Sequence, residues 1–155
     1  MITDRITALF ELVKNCYDAN ATEVTIVFHR AGESSQKNRI TITDNGHGMS
    51  FEDVRDKWMV IGTSSKRRNP ISAPPFSRRC VGEKGIGRFA VDKLGDYLEI
   101  STKQEKTPDW LSVRINWNQY QKTSEEEQAL RLFTEIENAY VLIQEKKKTE
   151  HGTIL

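Results

Sequence analysis

Apolar positions along this chain follow two rhythms. Over residues 3–19, Ile6, Leu9, Phe10, Val13 and Tyr17 recur at spacings of three and four, the repeat of a helix with an apolar side, and Thr3 or Asp4 can cap its start. Residues 24–29 (VTIVFH) form a β-branched run and predict a strand. A second strand, 39–43 (RITIT), stops at the turn signal Asp44-Asn45-Gly46. The segment 32–37 between them is polar, so the two strands are expected to form a hairpin. Ser50, followed by Glu52 and Asp53, predicts a short capped helix over 51–58. Further on, 88–94 reads as a helix, and 97–102 and 111–117 as strands. Residues 124–147 predict a long amphipathic helix, with Leu130, Phe133, Ile136, Tyr140 and Ile143 on one side. Glu125 to Glu127 would sit at its positive end and the lysine run from Lys146 at its negative end. The chain closes on a short strand, Gly152-Thr153-Ile154-Leu155. Strands and helices mix without the regular βαβ alternation of a Rossmann fold, which points to an α/β fold of the α+β kind.

Composition narrows this little. The 155 residues are 37% hydrophobic and 29% charged, ordinary for one globular domain with a real core. The net charge of +1 provides no global attraction to nucleic acid or membrane. Cys16 and Cys80 form no CxxC pair, and His29, His47 and His151 are scattered, so no zinc site is expected. No apolar run approaches the ~20 residues that span a bilayer. The first ten residues carry early charges and no signal-peptide core, so a cytoplasmic protein away from membranes is the expectation.

Three clusters carry chemistry. On the first helix, Glu11, Asn15 and Asp18 are spaced i, i+4 and i+7 and share one face. There a carboxylate can take a proton from water and an amide oxygen can ligate Mg²⁺. By itself, the same pattern also fits a solvated helix face. The second cluster, Asp44-Asn45-Gly46-His47-Gly48-Met49, follows a strand. Its aspartate can accept from an exocyclic amine, its glycines let a flat ligand approach the backbone, and Met49 can pack on a ring; a plain tight turn has the same composition. In the third, Gly82-Glu83-Lys84-Gly85-Ile86-Gly87-Arg88 enters a helix, where exposed N–H groups favour phosphate. It is neither a Walker A loop nor GxGxxG.

The order of these clusters is more specific than any one of them. ExxxNxxDA, then DxGxGM, then GxxGxG, then a final Gly-Thr resembles the GHKL superfamily of ATP-binding domains. This group holds the gyrase B subunit, heat-shock chaperone ATPases, histidine kinases, MutL proteins and MORC proteins. The resemblance runs from Glu11 to Thr153. It implies a two-layer sandwich, a mixed sheet covered on one face by helices, with ATP and Mg²⁺ as cofactors. By position, Glu11 corresponds to the general base and Asn15 to the Mg²⁺ ligand. Asp44 corresponds to the reader of the adenine amino group, supported by Thr153. Gly46, Gly48 and Met49 match the adenine pocket. Gly82, Gly85, Ile86 and Gly87 match the phosphate lid, with Lys84 adding charge, and the lid region spans about 60–87. Asp18 is expected to hold local structure, with Ala19 packed beneath.

Asp18-Ala19 in place of a second asparagine, and the segment Ile61-Gly62-Thr63-Ser64-Ser65-Lys66, favour the ATP-hydrolysing MutL-like, MORC-like or chaperone-like branch over the kinases. Thr63, Ser64 and Lys66 are candidate lid contacts. The chain begins almost on the first motif and stops at Gly-Thr, so a piece of a larger protein is expected, weakly active alone and dimerising with ATP when whole. The helix at 124–147 reads as an insertion. Two alternatives stand beside this reading. One is histidine-kinase-like phosphotransfer. The other is nucleic-acid binding through loop 66–79, where Lys66, Arg67, Arg68, Arg78 and Arg79 flank Phe76.

Overall fold

The computed structural model describes residues 2–29, 38–58, 71–81, 91, 93–119, 139–144 and 150–155. Helix α1 (Ile2–Asp18) leads into strands β1 (Val24–His29) and β2 (Arg39–Asp44), which form the expected hairpin. The one-turn helix α2 (Phe51–Asp53) continues into a π-helical turn, Val54–Trp58. Then come β3 (Tyr97–Lys103), β4 (Asp109–Asn116), β5 (Ala139–Gln144) and β6 (Gly152–Ile154). The sheet order is β1-β2-β6-β3-β4-β5. Every pairing among these strands is antiparallel, where a mixed sheet was expected. The expected α/β sandwich class holds. The last strand, β6, inserts between β2 and β3 and so joins the N-terminal hairpin to the rest of the sheet.

One face of the sheet carries the core. Ile42, Leu98, Ile100, Leu111, Val113 and Ile115 alternate inward along their strands and pack with Ala8, Leu12 and Cys16 of α1. Helix α1 forms where expected but is oriented differently. Its buried stripe is Ala8, Leu12 and Cys16, whereas Ile6, Phe10 and Tyr17 are exposed. The helix then stops in a Schellman motif. Ala21 N–H reaches Cys16 O, Asn20 N–H reaches Tyr17 O, and Asn20 takes the left-handed conformation (φ 62°) that asparagine tolerates. Ser50 caps α2 with a full capping box, its side chain accepting from Asp53 N–H while Asp53 accepts from Ser50 N–H.

The helix expected over 124–147 is corrected in part. Residues 139–144 are strand β5, paired along its length with β4; the rest of that segment lies outside the described residues. Tyr140-Val141-Leu142-Ile143 is a continuous apolar run of aromatic, β-branched and aliphatic side chains, and pairing with β4 outweighs the helical period that also passes through Tyr140 and Ile143. The 88–94 helix lies mostly outside the described residues. No helix among the described residues is long and apolar enough to cross a membrane.

Candidate functional site

Antiparallel register sets Asp44, Thr153 and Thr102 in one row. Asp44 partners Thr153, and Thr153 partners Thr102. Cross-strand partners place their side chains on the same face about 5 Å apart. The row therefore reads Val24, Asp44, Thr153, Thr102, Leu111, Leu142 across all six strands. Three polar groups sit together in an otherwise apolar line, on the face that α1 covers.

Each has defined partners. Asp44 Oδ1 accepts from Gly46 N–H at 2.8 Å, and the Cys16 thiol and the Thr153 main chain lie close enough to the carboxylate to favour its charged form. Burial pushes the Asp44 carboxyl above the ordinary carboxylate range, against these interactions. Burial, and next the Asp44 charge, push the Cys16 thiol from 9.0 up to about 12. Thr102 is fully buried; its Oγ1 accepts from Met49 N–H at 2.9 Å and lies 3.1 Å from both Gly152 O and Thr153 Oγ1.

The DNGHGM turn is fixed from several sides. His47 N–H donates to Ala19 O at 2.9 Å, which ties the turn to the end of α1. Asn45 Oδ1 accepts from Thr22 and Glu23 N–H, and its Nδ2 donates to Thr22 Oγ1. Gly48 has φ +67°, and a Cβ there would stand 2.0 Å from Lys103 O, so only glycine fits. Gly152 is similarly required, at φ +133° and 2.1 Å from Asp44 O. Met49 is half-buried against the core.

On α1, Glu11 is buried, and its Oε1 lies 2.6 Å from Lys14 Nζ. Asn15 is half-buried on the same side. Asp18 Oδ1 accepts from Val81 N–H at 2.9 Å, tying the chain just before Gly82 to the helix end. This is the local structural role expected of it. Among the described residues no group of three or more His, Cys, Asp and Glu side chains is gathered to hold a metal. The half-buried carboxylate at the end of β2 suits a nucleobase that brings its own donor.

The structure thus brings Asp44, Gly46, Gly48, Met49 and Thr153 together and sets Glu11 and Asn15 on the adjoining helix. Gly82, Lys84, Gly85, Ile86 and Gly87, and Thr63, Ser64 and Lys66, lie outside the described residues. Sequence reasoning missed Thr102 and Cys16. Thr102 looks like any strand threonine until the register is known, and Cys16 falls between two motif residues. A second omission is the brace on loop 71–81. Asn20 Oδ1 accepts from Ser72 Oγ at 2.7 Å, and Arg78 donates to Ala21 O at 2.8 Å. The Arg78 guanidinium also stacks over Tyr17 (4.7 Å) and Phe76 (4.4 Å). Arg78 and Phe76, expected in a nucleic-acid grip, are engaged with the protein itself. Lys66, Arg67 and Arg68 of that loop lie outside the described residues.

Comparison with known proteins agrees with this geometry. A protein of Herpetosiphon aurantiacus described as the type II restriction enzyme HgiDII is 35% identical over 98 residues, covering 63% of this chain and 15% of that protein. The DNA mismatch repair protein MutL of Ehrlichia chaffeensis is 29% identical over 103 residues, 66% of this chain and 14% of its own length. The chain thus spans about one seventh of either relative. The crystal structure of the N-terminal domain of a DNA repair protein superposes with a TM-score of 0.51 at 17% identity, covering 96% of this chain and 33% of that one, and shares the fold. Residues 3–153 match the family of histidine kinase-, DNA gyrase B- and HSP90-like ATPases, and the chain belongs to that family.

Proposed function

We propose that this domain binds Mg-ATP between α1 and the sheet and hydrolyses it, driving conformational change in a larger protein. The observation that carries this reading is the half-buried carboxylate of Asp44. It is held by Gly46 N–H at the end of β2, beside Thr153 of β6 and Cys16 of α1. A desolvated acceptor held in that way is costly without a ligand and suits an exocyclic amine.

In this reading Glu11 orients the attacking water and takes its proton, and Asn15 offers an amide oxygen to the metal. When bound, Mg²⁺ neutralises charge on the phosphate oxygens. Gly82, Lys84, Gly85, Ile86 and Gly87, with Thr63, Ser64 and Lys66, form the lid over the phosphates. The bond from Asp18 to Val81 anchors the lid at its entry. The likeness to a restriction enzyme and to MutL supports service in a DNA-directed machine, with ATP-dependent dimerisation of the whole protein. The engagement of Arg78 and Phe76 within the fold gives no support to loop 66–79 as the DNA contact.

The test is steady-state ATP hydrolysis by the full-length protein with and without Mg²⁺, beside Glu11→Ala. Metal-dependent turnover lost in the variant supports the reading. Turnover unchanged in the variant removes Glu11 from the chemistry.

A further inference from the structure

Proton arithmetic at Thr102 fixes which way the hydroxyl of Thr153 points. A threonine hydroxyl has one proton and two lone pairs. Thr102 Oγ1 has three neighbours: Met49 N at 2.9 Å, Gly152 O at 3.1 Å and Thr153 Oγ1 at 3.1 Å. Met49 N–H can only donate, so it occupies one lone pair. Gly152 O can only accept, so it takes the single proton. Were the proton turned to Thr153 instead, two lone-pair oxygens would face each other at 3.1 Å in a fully buried place. The remaining lone pair of Thr102 then accepts from Thr153, whose hydroxyl is the donor in that contact.

The consequence lies one residue along the row. Thr153 turns its proton toward Thr102 and away from its other register partner, Asp44. On the Asp44 side it offers only lone pairs, next to a carboxylate that is itself an acceptor when ionised. We infer that Thr102 is a specificity-determining positioning residue. By fixing the proton of Thr153, it makes the end of the nucleobase pocket acceptor-only, so that the pocket admits a 6-amino purine, directly or through a shared water, and rejects a 6-oxo purine. This rests on the ATP-binding reading above. A site whose polar groups are all of one kind rejects the mismatched base strongly, because the wrong pairing leaves both partners desolvated and unmatched.

The experiment measures affinities of ATP and inosine triphosphate, which carries a carbonyl oxygen at position 6, for the full-length wild type, Thr102→Ser and Thr102→Val. Wild type and Thr102→Ser should prefer ATP strongly. Thr102→Val releases the Thr153 proton, so the ATP-to-ITP preference should fall about tenfold, the worth of one hydrogen bond. The ratio is insensitive to a uniform loss of folded protein. Thr153→Val leaves the bonds of Thr102 to Met49 and Gly152 in place and keeps the question open should Thr102→Val fail to fold; it should weaken ATP and leave ITP unchanged. A preference unaltered in Thr102→Val, or ITP weakened more than ATP in Thr153→Val, overturns the assignment to Thr102 while ATP binding stands. A wild type that binds neither nucleotide overturns the ATP reading and this inference together.

Discussion

Asp44 and Thr153 are register partners across β2 and β6, although one opens the second motif and the other lies two residues from the last position of the chain. Their pairing half-buries a carboxylate beside α1, and this burial raises its pKa above the ordinary value. Between the unfolded and the raised folded value, the native state holds more protons than the unfolded state. Stability of the ligand-free protein therefore falls as pH rises through that window, just above the usual carboxylate range. Replacing the ionisable group should remove the cost. Asp44→Asn is expected to be at least as stable as wild type at neutral pH, and its thermal midpoint should lose the pH dependence that Asp44 contributes. Thermal melts of both proteins from pH 4 to 8 check this.

Glu11 stands one helical turn before Asn15 on the face of α1 beside the Asp44 row. Glu11→Ala should leave ATP affinity within a few-fold and lower hydrolysis at least ~100-fold, the usual contribution of a general base. Single-turnover hydrolysis at saturating ATP separates the two effects. Weak ATP binding by the variant would instead make Glu11 a structural residue.

Arg78 braces loop 71–81 against the end of α1 through Ala21 O and the rings of Tyr17 and Phe76. Arg78→Ala should destabilise the domain by about 2 kcal/mol, combining one charge-assisted hydrogen bond with the stacking. Lysine should not rescue it, since an ammonium lacks the planar surface. DNA affinity at low salt should be unchanged. Urea melts and a duplex titration measure both.

The two cysteines should differ sharply in reactivity. Cys16 is buried and its thiol is pushed up to about 12, whereas Cys80 is half-buried. The thiolate is the reactive form, so iodoacetamide at pH 8 should label Cys80 and spare Cys16 in the native protein. Peptide mapping reads the two sites separately. Labelling of Cys16 at the rate of Cys80 would contradict the packing of α1 on Asp44.

Much of this arrangement can be read from the sequence because local chemistry announces it. The hairpin follows from a β-branched run and a polar turn, and the Ser50 cap from its spacing to Asp53. The four motifs identify the family through their order. What was hidden depends on pairing. Thr102 gains its role only when β6 slots between β2 and β3, a long-range event with no local signature. The α1 stripe is not legible in the sequence because Ile6, Phe10 and Tyr17 are larger and more apolar than Ala8 and Cys16, yet it is Ala8, Leu12 and Cys16 that face the sheet. Residues 139–144 satisfy both periods, and the open edge of β4 decided between them.

The most direct test of the account is a calorimetric titration of Mg-ATP into the full-length protein and its Asp44→Asn variant. Saturable binding by the wild type, weakened about a hundredfold or more in the variant, is the predicted result for a charged, half-buried acceptor. Equal binding by the two proteins, or no binding by a folded wild type, would contradict the placement of ATP at Asp44.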